Sequence, residues 1–226
     1  MAKFAKKIHE NNEILLIKKF IRIFRSKQQH YKKRRFSFVL TGGDSPIKLY
    51  KFLAKYKKIN WKNVDFFIGD ERFVKENSKN SNIGMCKKYL LNKIKISKKQ
   101  IYKISTEKIS LKESVNDYEN KIKEYLSNKS SKFDIVLLGI GNDGHIASLF
   151  RNNINKKNNK NVKFVKRKDF LRISLTLKSI NSSKNIFLWA PGRKKSLIIK
   201  KILKDNKLIY PASFLKEKNN FLFYSN

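Results

Sequence analysis

The sequence predicts an α/β protein of three layers (α/β/α), with helices on both faces of a mostly parallel central sheet. Two observations predict this class. Short apolar runs of strand length alternate along the chain with amphipathic runs of helix length, as in βαβ units. The apolar runs are also continuous, which is typical of strands buried on both faces. With 226 residues, 40% of them hydrophobic, the chain is long enough to form a single domain over 1–226 around one core.

The N-terminal half contributes one helix and two strand–turn–helix units. Lysine and arginine interrupt the apolar residues at 14–24, so this segment predicts an amphipathic helix that packs on the domain. Residues 36–41 predict a strand that stops at a glycine pair, and apolar residues spaced over 47–54 predict a helix after it. The second unit is a buried strand at 64–68, a polar loop and a helix at 83–94.

The C-terminal half continues the alternation. The strand at 133–140 is the most strongly predicted element, because its apolar run is too continuous for a half-exposed edge strand. The other predicted elements are strands at 101–104, 162–166, 171–177, 185–190 and 221–224, and helices at 111–126 and 192–203. In a Rossmann-like parallel sheet the ligand binds at the loops that follow the carboxyl ends of the strands. The functional residues are therefore expected in those loops.

The formal net charge of +37 invites a nucleic-acid interpretation. However, 45 of the 54 basic residues are lysine and only nine are arginine, and arginine supplies the bidentate contacts that read bases and hold phosphates. Lysine, isoleucine and asparagine can all be encoded by A and T alone, so genome composition is a sufficient cause. A non-catalytic polyanion-binding surface stays open as an alternative, but no specific nucleic-acid partner is expected.

Several other classes have little support in the sequence. One cysteine and three scattered histidines do not form a metal-ligand set, so neither a metal nor another cofactor is expected. Cys86 has no internal disulfide partner, which favours the reducing cytoplasm. No run of 18 apolar residues is present, so no membrane partner is expected. Ser148 lacks the nucleophile-elbow pattern of serine hydrolases.

Two turns at the expected edge of the sheet carry residues suited to catalysis on a phosphorylated ligand. His145 follows Asp143 by two residues in a glycine-bracketed turn. A nearby carboxylate can orient an imidazole and stabilise its cation, which a general base acting on water requires. Gly42 and Gly43, between a strand and a helix, offer backbone N–H groups and the positive end of a helix dipole to a phosphate, with the Ser45 hydroxyl in reach.

A third set of candidates carries charge. Asp70, Glu71 and Arg72 end the second predicted strand, which places two carboxylates and one of the few arginines at the same edge. An ordinary surface ion pair explains this cluster equally well. Arg172 and Lys195 are further candidates for holding an anion, although most lysines in so basic a chain are simply solvated.

Together these motifs resemble the 6-phosphogluconolactonase family, in order along most of the chain. TGGDSP at 41–46 is similar to the family's SGGSTP, and DERFV at 70–74 with Asn82 is similar to its DERxVP and SN. LGIGNDGHIASLF at 138–150 resembles LGIGEDGHTASLF and is the longest and most specific match. RISLT, the pair Gly192 and Lys195, and PAS at 211–213 are similar to shorter family elements.

The resemblance implies hydrolysis of 6-phospho-D-glucono-1,5-lactone in the oxidative pentose phosphate pathway, without a cofactor, by a monomer or weak homodimer. His145 would activate water and then protonate the ring oxygen, Asp143 would orient His145, and Arg72 would stabilise the oxyanion or orient the substrate. The substrate- and phosphate-binding residues implied are Gly42, Gly43, Ser45, Asp70, Asn82, Arg172 and Lys195.

Three residues depart from the family pattern, and a related family is the nearest rival. Asp44 brings negative charge beside the expected phosphate site, Lys75 replaces a proline and Ile146 replaces a threonine. Glucosamine-6-phosphate deaminases share the fold and a similar GIGxDGHIAF motif. Their pattern requires Phe-Asn-Glu at 148–150 and tyrosine in place of Arg72, so the ring-opening carboxylate is missing here.

Overall fold

The computed structural model describes residues 4–31, 34–154, 159–204, 209–217 and 220–226. The strands are β1 Lys6–Glu10, β2 Phe36–Leu40, β3 Val64–Ile68, β4 Asp70–Arg72, β5 Ile101–Tyr102, β6 Ile135–Gly139, β7 Val162–Lys166, β8 Leu171–Leu175, β9 Ile186–Ala190 and β10 Asn220–Ser225. The helices are α1 Glu13–His30, α2 Ile47–Lys55, α3 Asn82–Tyr89, α4 Leu111–Asn128, α5 Leu177–Asn181 and α6 Arg193–Leu203.

Seven strands form the central sheet, in the order β1-β10-β9-β6-β2-β3-β5. Every neighbouring pair in it is parallel. All five residues of β2, of β3 and of β9 are buried, so both faces of these strands are covered. The predicted α/β architecture with a parallel central sheet is therefore confirmed.

Helix α1 packs on the sheet through aromatic side chains. The ring centroid of Phe20 lies 5.3 Å from that of Phe187, 5.7 Å from that of Trp189 and 5.3 Å from that of Phe223. These rings belong to one contiguous cluster of buried apolar side chains that includes residues of nearly every strand. Burial of such large side chains contributes about 1.5–3 kcal/mol each. None of the described helices combines the length and the hydropathy of a bilayer-spanning segment.

A second, three-stranded sheet was not predicted. Strands β4, β8 and β7 pair in that order, and both pairs are antiparallel. The runs at 162–166 and 171–177 are strands, as predicted, but they lie in this small sheet beside the central one. Residues 70–72 were expected at the end of the strand at 64–68 and form a separate strand, because three polar residues give no hydrophobic period from which a new strand can be recognised.

Several element bounds also differ from the prediction. Helix α3 ends at Tyr89, because Leu90 has φ −134° and ψ −65° and a 3-10 turn follows in place of the helix expected to 94. Strand β1 contains one strongly apolar residue, Ile8, so its sequence carried no strand signal. Helix α5 begins within the run expected to be strand, where the Thr176 side chain accepts a hydrogen bond from the Ser179 N–H.

Candidate active site

A cleft of about 470 Å³ lies where the carboxyl ends of the parallel strands meet the small sheet. Its walls come from the turns after β2 and β6, from β4 and β8, and from the first residues of α3 and α6. Nine of the predicted site residues line this cleft, namely Gly42, Gly43, Ser45, Asp70, Arg72, Asn82, His145, Arg172 and Lys195. Asp143 does not line the cleft and reaches it through His145. Residues that lie up to 153 positions apart in the sequence are thus brought together.

The imidazole of His145 is held on two sides. Its Nδ1 lies 2.5 Å from Oδ1 of Asp143, which also accepts a hydrogen bond from the His145 N–H at 3.2 Å. A Cβ on Gly141 would lie 2.0 Å from Nδ1, so the ring packs against glycine backbone. The ring centroid of Phe150 lies 4.5 Å from that of His145. Nε2 has no partner among the described residues and is the nitrogen left for a water molecule.

The charge of Asp143 suits its contact with His145. Partial burial opposes ionisation of its carboxyl group, but hydrogen bonds and the attraction of the imidazole hold its pKa below the usual value. The ionised carboxylate stabilises an imidazolium and fixes the tautomer in which Nδ1 carries the proton. The pair can therefore accept a proton at Nε2 and return it later.

The turn between β2 and α2 forms an anion-binding arrangement of backbone groups. None of the N–H groups at 42–45 donates a hydrogen bond to another described residue. Gly43 has φ +78°, a conformation that side chains rarely adopt. The turn is anchored from below, because Tyr50 Oη accepts from the Thr41 N–H at 3.0 Å and Trp189 Nε1 donates to the Ser45 carbonyl at 3.1 Å. Successive free N–H groups at a helix start favour a phosphate.

Two arginines face each other across the small sheet. Arg72 of β4 pairs in register with Arg172 of β8. Arg72 Nη1 donates to the Asn80 carbonyl at 2.8 Å, and Arg172 Nη2 donates to Asp169 Oδ2 at 2.5 Å. Each Nε is buried without a partner in the described part of the chain. Because like charges directly opposite in a sheet repel, this arrangement favours a bound anion.

Lys195 closes the cleft from the first turn of α6. Its Nζ donates to the Ile140 carbonyl at 2.6 Å and to Asn142 Oδ1 at 3.2 Å. Burial lowers the pKa of Lys195, and the nearby Asp143 opposes that shift. Lys195 therefore supports the turn that carries His145 and adds a third positive charge to the cleft.

The sequence did not identify the contribution of Glu71. This side chain is 1% exposed, and its carboxylate accepts from the N–H groups of Arg72, Asn82 and Ile83 at 2.7–2.8 Å and from Ser81 Oγ at 3.2 Å. Burial raises its pKa to about 7, although these donors oppose the rise. Glu71 ties β4 to the start of α3 and so fixes two residues of the cleft. The sequence named Glu71 only as one of two carboxylates in the DER motif, without this role.

Asp70 and Ser148 form a buried pair beside the cleft. Ser148 Oγ donates to Asp70 Oδ2 at 2.6 Å, and the Ser148 side chain is fully buried. Its hydroxyl therefore supports a carboxylate, which agrees with the absence of a nucleophile elbow. Within the described residues, no group of three His, Cys, Asp or Glu side chains is arranged to hold a metal ion.

Comparison with known proteins assigns the chain to a family. The family model of the glucosamine-6-phosphate isomerases/6-phosphogluconolactonase matches residues 14–223. The chain belongs to this family. Within it, the 6-phosphogluconolactonase of Haemophilus influenzae is 35% identical over 187 residues, which cover 80% of this chain and 79% of that protein. The 6-phosphogluconolactonase of Thermotoga maritima is 30% identical over 195 residues, which cover 85% and 84%.

Solved structures of the family share the fold. The crystal structure of 6-phosphogluconolactonase from T. maritima has a TM-score of 0.84 at 28% identity, over 97% of this chain and 99% of that one. The 6-phosphogluconolactonase of Plasmodium vivax has a TM-score of 0.83 at 26% identity, over 97% and 90%. The family resemblance predicted from the motifs is therefore confirmed.

Proposed function

We propose that this protein hydrolyses 6-phospho-D-glucono-1,5-lactone to 6-phosphogluconate, the lactone-opening step of the oxidative pentose phosphate pathway. The observation that carries the proposal is the His145–Asp143 pair, with its nitrogen–oxygen distance of 2.5 Å, in a cleft that also holds unpaired anion-binding groups. The family relatives described above bear the name of this activity. All groups that the reaction needs are side chains, backbone N–H groups and water.

His145 acts first as a base and then as an acid. Its Nε2 removes a proton from water while the water oxygen attacks the lactone carbonyl carbon. Asp143 stabilises the imidazolium, and Arg72 stabilises the negative charge that develops on the carbonyl oxygen. The tetrahedral intermediate then expels the ring oxygen, which takes the proton from Nε2. The products are a carboxylic acid that ionises in water and a hydroxyl group, so His145 returns to its starting state.

The phosphate is bound away from the reacting carbon. The N–H groups of the turn at 42–45, with Ser45, Arg172 and Lys195, supply hydrogen bonds and positive charge for a dianion. Holding the phosphate orients the carbonyl carbon toward His145, so binding energy remote from the reaction serves the chemical step. Asp70 and Asn82 lie on the same wall as Arg72 and contact the sugar in this arrangement.

The surroundings of His145 disfavour the deaminase alternative. Deamination of an amino sugar in this family pattern needs a carboxylate within 148–150. Here Ser148 is buried against Asp70, and Phe150 packs on the imidazole. Conversion of glucosamine 6-phosphate with release of ammonia would favour the alternative.

We further infer that the whole chain acts as one domain in the cytoplasm, as a monomer or weak homodimer. The buried free thiol of Cys86 suits a reducing compartment, and the contiguous core supports one folding unit. We expect no specific nucleic-acid partner, because most of the basic residues are lysine and they are spread along the whole sequence. Any duplex binding should be weak and sensitive to salt.

A lactone-hydrolysis assay corrected for spontaneous opening tests the function. We expect His145→Ala to lower kcat by about 10²–10⁴-fold, the usual contribution of a positioned acid–base group. Arg193→Ala is the matched control, because Arg193 is exposed and does not line the cleft. Equal rates for the wild type and His145→Ala would refute the role of His145. Absence of hydrolysis by the wild type would refute the function itself.

A further inference from the structure

The side-chain amide of Asn82 has a fixed orientation. Asn82 is the first residue of α3 and is 2% exposed. Its Nδ2 donates to the Asp70 carbonyl at 2.7 Å and approaches Asp70 Oδ1 at 3.4 Å. Because both acceptors lie on the Nδ2 side, the amide cannot be reversed without facing oxygen toward oxygen. The atom left over is therefore an acceptor, Oδ1.

Asn82 Oδ1 is buried and has no hydrogen-bond partner within the described ranges. A Cβ placed on Gly42 would lie only 1.9 Å from it, so this oxygen sits against the backbone of the phosphate-binding turn. Leaving a buried carbonyl oxygen unpaired costs about 1–3 kcal/mol. A donor from a bound ligand would remove that cost.

The charged and amide groups of the cleft divide into two kinds. Arg72, Arg172 and Lys195 offer only donors, which suit a phosphate. Asp70 and Asn82 offer acceptors side by side, and Ser148 holds the Asp70 carboxylate in place at 2.6 Å. A phosphorylated sugar lactone has the complementary division, because its phosphate accepts hydrogen bonds and its ring hydroxyls donate them.

We propose that Asn82 Oδ1, beside the Asp70 carboxylate, accepts a hydrogen bond from a ring hydroxyl and makes the cleft selective for sugars that carry it. The inference rests on the proposed function for the kind of ligand. The recognised hydroxyl is one of those at carbons 2, 3 and 4, since the oxygen at carbon 5 closes the lactone ring. Asn82 is thus a specificity-determining residue, separate from the residues that move protons.

Calorimetric titration of the full chain with 6-phosphogluconate, the open-chain product that keeps the hydroxyls at carbons 2, 3 and 4, and with its 2-deoxy, 3-deoxy and 4-deoxy forms tests this inference. We expect the wild type to bind one deoxy form at least about tenfold more weakly than the parent, the effect of one good hydrogen bond. Asn82→Ala should bind that form and the parent equally, because the acceptor is gone. Equal binding of all forms by the wild type, or an unchanged ratio in Asn82→Ala, would overturn the inference.

Two variants separate recognition from general disruption. Ser148→Ala removes a hydroxyl from the same buried network but keeps Oδ1 of Asn82, so its affinities should fall together and the ratio should persist. Asn82→Asp keeps an acceptor oxygen but turns a second oxygen toward the Asp70 carbonyl, so its affinities for all forms should fall while the ratio persists. If Asn82→Ala does not fold, Asn82→Ser replaces it, since its short side chain does not reach the position of Oδ1.

Binding and turnover distinguish the two hypotheses. A protein that opens the lactone but binds all four acids equally keeps the proposed function and loses the inference about Asn82. A protein that discriminates a deoxy form but opens no lactone keeps the inference and loses the proposed function. Failure to bind any of the four acids would overturn the inference, whatever the result of the hydrolysis assay.

Discussion

Two pairs of arginines lie at opposite ends of the parallel sheet. Where β2 begins, Arg34 pairs with Asp134 through both terminal nitrogens, and Arg35 Nε lies 2.6 Å from Asp65 Oδ2. Both carboxylates are buried, and the contact raises the pKa of each arginine. At the carboxyl end, Arg72 and Arg172 face each other, and each keeps a buried Nε without a partner in the described part of the chain.

The difference separates arginines that stabilise the fold from arginines that await a ligand. Removing the arginine partner of a buried carboxylate leaves an unpaired charge in the protein interior, which is strongly destabilising. The contact between Arg35 and Asp65 therefore contributes to the free energy of folding. The residue opposite Arg72 is a second arginine, Arg172, whereas the residue that contacts Arg35 is an aspartate, Asp65. Arg72 forms no ion pair with any described residue, so its charge is left for an anion that enters the cleft, whereas Arg172 is paired with Asp169. The residue type is the same at both ends, so the partner of each arginine decides its role.

Arg35→Met should give the largest loss of stability. The substitution keeps an unbranched side chain as far as the position of Nε, removes the guanidinium group and leaves the Asp65 carboxylate, which is 1% exposed, without its partner. We expect the free energy of unfolding to fall by about 3 kcal/mol, as measured by urea denaturation. The kcat/KM of the folded protein should be unchanged, because Arg35 does not line the cleft. A stable but inactive variant would show that Arg35 serves the reaction and not the fold.

Arg72→Met is the matched substitution at the other end and should show the opposite pattern. Loss of a charge-assisted contact to the substrate should lower kcat/KM by about 10–100-fold, or about 1.5–3 kcal/mol. The free energy of unfolding should change by less than about 1 kcal/mol, because the lost bond to the Asn80 carbonyl is offset by relief of the repulsion from Arg172. The kcat/KM and the free energy of unfolding are measured by the same assay and the same urea denaturation as for Arg35→Met. A stability loss as large as that of Arg35→Met would show that Arg72 is structural.

The sequence predicted the central sheet well and the small sheet poorly. Strands such as 64–68 are continuous apolar runs, and burial on both faces requires that composition. Strand β4 consists of Asp70, Glu71 and Arg72, and its pairing with β8 follows from tertiary position. No local pattern could show that Arg72 and Arg172 would stand opposite each other, because a cross-strand register joins residues far apart in the chain.

The motifs predicted which residues line the cleft, but they did not predict the hydrogen bonds that hold those residues in place. The residues expected near a phosphate and near His145 line one cleft, since glycine turns and rare arginines stand out in a lysine-rich chain. Glu71 was named among the charged candidates, but its structural role was not predicted, because a carboxylate that accepts from three backbone N–H groups looks, in sequence, like any surface acid. The free oxygen of Asn82 depends on a side-chain orientation that only the folded structure defines.

Asp44 tests the same contrast between paired and unpaired charges, and the expected effect is the smallest of the three. Unlike Asp65 and Asp134, this carboxylate is exposed and forms no ion pair with any described residue, although it lines the cleft beside Lys195. It therefore repels an incoming phosphate and is not balanced by a fixed partner. We expect Asp44→Asn to lower KM by about two- to fivefold at low salt, the effect of one exposed charge worth about 0.5–1 kcal/mol.

Salt and a neighbouring acid supply the controls for Asp44. The decrease in KM should vanish near 1 M salt, because exposed charges then interact over only about 3 Å. Glu13→Gln removes an acid from the adjoining groove, where Glu13 lies 3.3 Å from Lys48, and should leave KM nearly unchanged because Glu13 does not line the cleft. A higher KM in Asp44→Asn would mean that Asp44 accepts a hydrogen bond from the substrate. Unpaired acids as well as unpaired arginines would then contact the ligand, whereas the paired charges stabilise the fold.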